Sequence, residues 1–208
     1  MCYAGYFPMM MKNVFNLLYA PESEWKDIAS QNNTVVKTLL LFVVPMALIP
    51  TISAFIGASY VGWGLVGEKI VKLTSESAML LSIAAFFAIT GAVVVMGLLI
   101  KWMAETYGGK PSLDRCVALS AYSATPLFLV GFAALYPVLW VDTLLTLFAI
   151  AFAVKLLFIG VPIMMDTDQD KGYLFASSIL TVAMVMVIGM FAITILFWGF
   201  GLAPAFTV

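Results

Sequence analysis

Histidine is absent from this chain of 208 residues. Its absence removes the usual general base, the commonest metal ligand, haem ligation and every Ser–His or Cys–His dyad. Cysteine is nearly absent too. Cys2 and Cys116 are too few and too far apart for a disulfide framework or a zinc cluster. Charge is scarce: 10% of residues are Asp, Glu, Lys or Arg, and the net charge of −1 gives nothing that could neutralise a nucleic-acid backbone. Carboxylate dyads and glycine-rich phosphate loops are also missing, so catalysis, a cofactor and a bound metal are not expected.

What fills the chain is apolar. Hydrophobic residues make up 63% of it and mean hydropathy is +1.08. A soluble domain has no way to bury that much apolar surface, so the expected solvent is lipid. Charges divide the sequence into lengths that suit a bilayer, for which a helix needs ~20 apolar residues. We place spans at about 36–58, 77–100, 116–137, 140–164 and 175–198. Each run is apolar on every side, unlike a soluble core helix, and no alternation of period two suggests strands. The expected fold is therefore an all-α, polytopic bundle of about five transmembrane helices over 36–202. Residues 1–35 form a short interfacial segment ahead of it. Met9, Met10 and Met11 offer alternative starts, and Pro21, Glu22 and Glu24 come too soon after Lys12 for a signal peptide.

Orientation follows from the basic residues. With the N-terminus inside, seven lie on the cytoplasmic side (Lys12, Lys26, Lys37, Lys101, Lys110, Arg115, Lys171) and two, Lys69 and Lys72, on the other. That bias predicts a cytoplasmic N-terminus and, after five crossings, an external C-terminus. Trp63, Trp102, Trp140 and Trp198 fall at span ends, where indole prefers the interface. Ahead of the first span, Val14, Phe15, Leu18 and Tyr19 recur at helical spacing. Pro21 can open a second short helix carrying Trp25 and Ile28. These helices either lie in the headgroup plane or pack under the bundle.

Few residues inside the spans could carry chemistry. Lys155 is the one charge well within a span. It either snorkels to the headgroups or pairs with Asp166 or Asp168, or it lines a binding or transport path. The turn from Asp166 to Gly172 has acids at positions 1, 3 and 5 of a calcium loop, but Lys171 and Ser177 stand where glycine and glutamate are required. We read it as a turn whose acids cap the next helix. Pro45, Pro50, Pro126 and Pro162 each free a backbone carbonyl that lipid cannot solvate. Tyr122, Ser123 and Thr125 beside Pro126 make the third helix the most polar, and its expected place is the centre of the bundle. Small residues at Ala84, Ala88, Ala92, Ala149 and Ala153 permit close helix approach.

Three segments carry a family resemblance: Ala20-Pro21-Glu22-Ser23-Glu24-Trp25-Lys26-Asp27-Ile28, then Ala121-Tyr122-Ser123-Ala124-Thr125-Pro126-Leu127, then Gly160-Val161-Pro162 with the polar turn and Gly172. They resemble the Pro-x-x-x-Trp segment, the Tyr-x-x-x-Pro signature and the fourth-to-fifth helix junction of the Yip-domain membrane proteins. The likeness covers about residues 12–202. It implies five spans with a cytoplasmic N-terminus in a bacterial inner membrane. It marks Pro21, Trp25, Tyr122, Pro126 and Pro162 as family positions. Eukaryotic relatives interact with Rab GTPases, but the Asp-Leu-Tyr-Gly-Pro element they carry is missing from this sequence, so that role is not carried over. The expected partners are the lipid bilayer and unidentified proteins, a second copy of this chain among them. The expected function is non-enzymatic scaffolding, and the rival is a small transporter or channel built on Lys155 and the proline-kinked helices.

Overall fold

The computed structural model describes residues 6–31, 33–64 and 70–207. Two short helices, α1 (Tyr6–Tyr19) and α2 (Pro21–Ser30), precede five long ones. The long helices are α3 (Val35–Val61), α4 (Ser75–Tyr107), α5 (Leu113–Leu135), α6 (Leu139–Met165) and α7 (Gln169–Phe200), all long and apolar enough to span a bilayer. The fold is thus an all-α polytopic bundle. The fifth span begins at Gln169, earlier than the hydropathy suggested, because Asp168 and Asp170 sit at its solvated first turn.

Local chemistry fixes the helix ends. Thr34, Thr74 and Ser112 accept a hydrogen bond from the backbone N–H three residues on, so α3, α4 and α5 all begin with a side-chain cap. Asp114 reaches across from the start of α5 and accepts the Val35 N–H at 2.7 Å, clamping the first and third spans together. Asp166 ends α6 in the left-handed region, φ 51° and ψ 50°, which Asp tolerates better than most residues. The expected acid cap on α7 is not made. Asp168 occupies the cap position, but its carboxylate bonds no backbone N–H and instead faces Lys171 at 4.0 Å, an exposed pair of little energetic weight.

Prolines bend the spans where neighbours can approach. In α3, a π-helical turn at Leu39–Val43 comes immediately before Pro45, widening the backbone where the ring would collide with the preceding turn. Farther along α3, Pro50 meets Gly131 of α5, and a Cβ at Gly131 would overlap the ring. Gly57 likewise lies so close to the Ala134 carbonyl that no side chain fits. Small residues therefore set the α3–α5 spacing, as they do where Gly97 of α4 faces Val117 of α5.

Burial is uneven. In its most apolar stretch α5 is 61% buried and α7 only 6%. The core lies at the end occupied by α1 and α2, around Leu17, Trp25, Phe42, Leu119, Leu156 and Phe175. At the far end, residues 143–148 of α6 and 191–200 of α7 are exposed. There a short antiparallel pair, β1 (Lys72–Leu73) and β2 (Phe206–Thr207), ties the chain after α7 to the start of α4. Trp140 and Trp198 are exposed at this end and Trp102 at the other, consistent with two interfacial belts. Ala84 and Ala88, expected in helix contacts, are exposed on α4, whereas Ala149 is buried.

Candidate functional site: the junction of α1, α2, α5 and α6

Pro126 organises this region. It has no N–H for the carbonyl of Tyr122, so α5 breaks at Ala124 and restarts at Thr125 with the proline in its first turn. The freed carbonyl is met by the Thr125 hydroxyl at 2.6 Å. Thr125 is fully buried and Tyr122 is 6% exposed, so this bond forms where no water or lipid could replace it.

The broken helix holds Tyr122 against two rings. Phe42 of α3 lies 4.1 Å away in a tilted contact. Trp25 of α2 presents its edge at 6.5 Å and 82°. Pro21 starts α2 in the position proline favours, with Glu22 and Glu24 in the first turn where acids suit the helix dipole. Trp25 and Ile28, three residues apart, then share the buried face. The indole is wholly buried, pressed on Gly160 of α6, where a Cβ would overlap its six-membered ring. Of the two expected arrangements for α2, the structure has the second. The helix is docked, and Trp25 is a wedge, not an interfacial anchor. Its Nε1 is buried with no partner among the described residues, as is the Ser123 hydroxyl.

α1 completes the site with a face that periodicity alone did not select. Asn13, Val14 and Leu17 are buried while Phe15 and Tyr19 are exposed. A helix lying against lipid can leave aromatics outward, and the inward face is set by polar partners. Asn13 is the side-chain hydrogen-bond partner of the Tyr122 phenol. The Asn16 side-chain amide donates to Glu24 at 2.9 Å. Burial raises the Glu24 carboxyl above its ordinary value of 4.5; the Asn16 bond opposes the rise, Asp27 adds to it and Lys12 opposes it. Asn13 and Asn16 were missed because isolated polar residues give no periodic signal, and Glu24 and Gly160, though they lie in segments that carry the family resemblance, gave no sign of what they touch. The one clue was two asparagines facing an otherwise apolar amphipathic stretch.

Pro162 stands at the next junction. Gly172 of α7 is close enough that a Cβ there would press on the proline ring, which packs the start of α7 against the end of α6. Nearby, Tyr107 stacks on Phe175 at 4.8 Å and shares a 2.5 Å hydrogen bond with Ser178. Lys155 is not brought to the site. It is exposed on α6, and its ammonium lies 5.4 Å from the centroid of the Phe152 ring. Neither expected partner, Asp166 or Asp168, is paired with it.

Trp25, Tyr122 and Pro126 thus converge from segments a hundred residues apart, and the motifs that contain them belong to one profile: the Yip1 domain matches residues 15–193. The chain belongs to the Yip1-domain family. It is similar to the inner membrane protein YohC of Escherichia coli strain K12, 35% identical over 191 residues that cover 92% of this chain and 98% of that protein. The same figures hold for YohC of E. coli O6:H1 strain CFT073. No solved structure matches. For this Yip1-domain protein the geometry gives the two signatures a common physical origin: the Tyr-x-x-x-Pro break builds the socket, and the Pro-x-x-x-Trp helix fills it.

Proposed function

We propose that this chain is a non-enzymatic multi-pass protein of a bacterial cytoplasmic membrane, with the junction in the cytoplasmic leaflet, that acts by binding partner proteins within the bilayer. The reading is supported by the likeness to inner membrane proteins and above all by the division of labour between helices. α3, α5 and the near half of α6 form a packed block, whereas α7 contributes little to it and offers Met184, Val187, Ile188, Phe191 and Ile195 outward. A helix held at both ends, by Gly172 on Pro162 and by β2 on β1, with its middle unoccupied, suits association in the membrane plane. The rival reading as a transporter draws no support from Lys155, which faces outward and lines no interior path. The test is a photo-crosslinking residue placed singly at Val187, Ile188 and Phe191 in native membranes. Discrete protein adducts, identified by mass spectrometry and including a self-adduct if the partner is a second copy, are expected. Lipid adducts alone at all three positions would sink the proposal, and solute flux in proteoliposomes that disappears in Lys155→Met would replace it with the rival.

A further inference from the structure

Lys155 is a lipid-facing cation set too deep for its own headgroups. Phe148, Phe152 and Lys155 follow each other at i, i+4 and i+7 and so lie on one stripe of α6, where Phe148 is 73% exposed. Trp140 marks the far interface on the same helix. Fifteen residues separate it from Lys155, about 22 Å at the helical rise, which leaves Lys155 about 8 Å short of the other edge of a ~30 Å hydrocarbon layer. Snorkelling to that nearer edge runs against the helix, because side chains lean toward the N-terminus of their own helix. The ammonium does lean that way. It lies by the ring of Phe152, three residues back toward the far end.

No acid of this chain can neutralise it at that depth. Apart from Lys155 the residues from Thr143 to Met165 carry no charge, and neither do Ser77–Ile100, Cys116–Val141 or Gly172–Val208. Asp142 lies about 20 Å back along α6 and Asp166 about 16 Å forward, at its C-terminal end, both out of reach of the ammonium. A second copy in the same orientation brings the same uncharged spans to the same level, so self-association supplies no counter-ion either. Phospholipid phosphate is the anion the membrane itself provides at an exposed site, within reach if the leaflet thins locally around the charge.

From this we infer that Lys155, flanked by Phe148 and Phe152, is a binding site for the phosphate of an anionic phospholipid in the leaflet on the α2 side. The ammonium draws the headgroup inward, and the two phenylalanines lie along its acyl chains. One lysine near a charged lipid surface changes affinity about five-fold.

The test uses the full chain, purified and delipidated, titrated with phosphatidylglycerol, with phosphatidylcholine and with inorganic phosphate while bound lipid is counted by native mass spectrometry. Wild type and Lys155→Arg should hold phosphatidylglycerol about five-fold more tightly than Lys155→Met, with no such difference for phosphatidylcholine or free phosphate. Because the residue faces lipid, Lys155→Met should fold with an unchanged melting curve. Equal phosphatidylglycerol affinity in Lys155→Met overturns the inference. A photo-crosslinker at Phe148 in the otherwise native chain gives an independent outcome. Lipid adducts support the site, and a discrete protein adduct assigns the charge to a partner's carboxylate instead and overturns it.

Discussion

If Trp25 is a wedge between α2 and α6, removing it should loosen the whole α2 end of the bundle. A buried tryptophan takes 150–250 Å² out of solvent, worth about 4–6 kcal/mol at 25 cal/mol per Å² as an upper bound. Core Trp→Ala changes cost about 3–5 kcal/mol, and for a chain of this size that corresponds to roughly 6–20 °C in melting temperature. Gly160 supplies the internal control. A methyl there collides with the indole of Trp25 and with Leu119, so Gly160→Ala alone should be destabilising. In the Trp25→Ala background the same methyl enters the vacated space, so its cost should vanish or reverse. That sign change is a coupling that independent sites cannot show. Trp25→Phe should lose less than half as much as Trp25→Ala, since it also removes the unpartnered Nε1–H. Cys116 provides the assay: its thiol is wholly buried, so a thiol-reactive fluorophore reports unfolding in a Cys2→Ser background. Additive losses for the two single changes would refute the wedge.

The other expectations concern the polar groups and the topology. Thr125→Val leaves the Tyr122 carbonyl without its hydroxyl donor and Tyr122→Phe removes the bond to Asn13. Each should cost about 0.6–2 kcal/mol in the same melting assay, and a Phe191→Leu change on the exposed face of α7 should cost nothing measurable. Glu24→Gln keeps an acceptor for Asn16 and removes the buried charge. Because the folded carboxyl is raised, wild-type stability should be greatest below about 4.5 and should fall as pH rises through the raised value. Glu24→Gln should flatten that slope and be the more stable protein at neutral pH, as read from melting curves across pH. Reporter fusions after Thr207 should be active only outside the cytoplasm, and cytoplasmic activity there would rule out the proposed orientation.

The number of spans was legible because lipid imposes a length on every helix, whatever its neighbours do. The packing partners of those helices were legible only where backbone chemistry forces an answer. Pro126 frees a carbonyl that must be met, and the hydroxyl of Thr125 beside it does so. Trp25 was readable as apolar and helical, but its depth was not, since an indole suits an interface and a core equally well. The buried face of α1 was not legible for the same reason. Phe15 and Tyr19 are content against lipid, so apolar periodicity no longer distinguishes inside from outside. Only the buried partners of Asn13 and Asn16 decide the rotation, and they lie on α5 and α2.

The polar inward face of α1 has a consequence for how the junction holds together. In water, docking of α1 would be driven by apolar burial with its polar face outward, as α2 still is, with Trp25 and Ile28 buried and Glu22, Lys26 and Asp27 exposed. Beside lipid the outward face loses little by staying apolar, so the net drive must come from interactions lipid cannot offer: the Asn13–Tyr122 and Asn16–Glu24 bonds and the fit of Trp25 against Gly160. Two of those three are polar, and one carries a carboxyl whose charged form is disfavoured where it sits. The rotation of α1 therefore depends on polar partnering more than on area, while buried Trp25 supplies most of the hold on α2. Small changes at Asn13 or Asn16 should loosen α1 from the bundle, whereas larger apolar changes at Phe15 or Tyr19 should not.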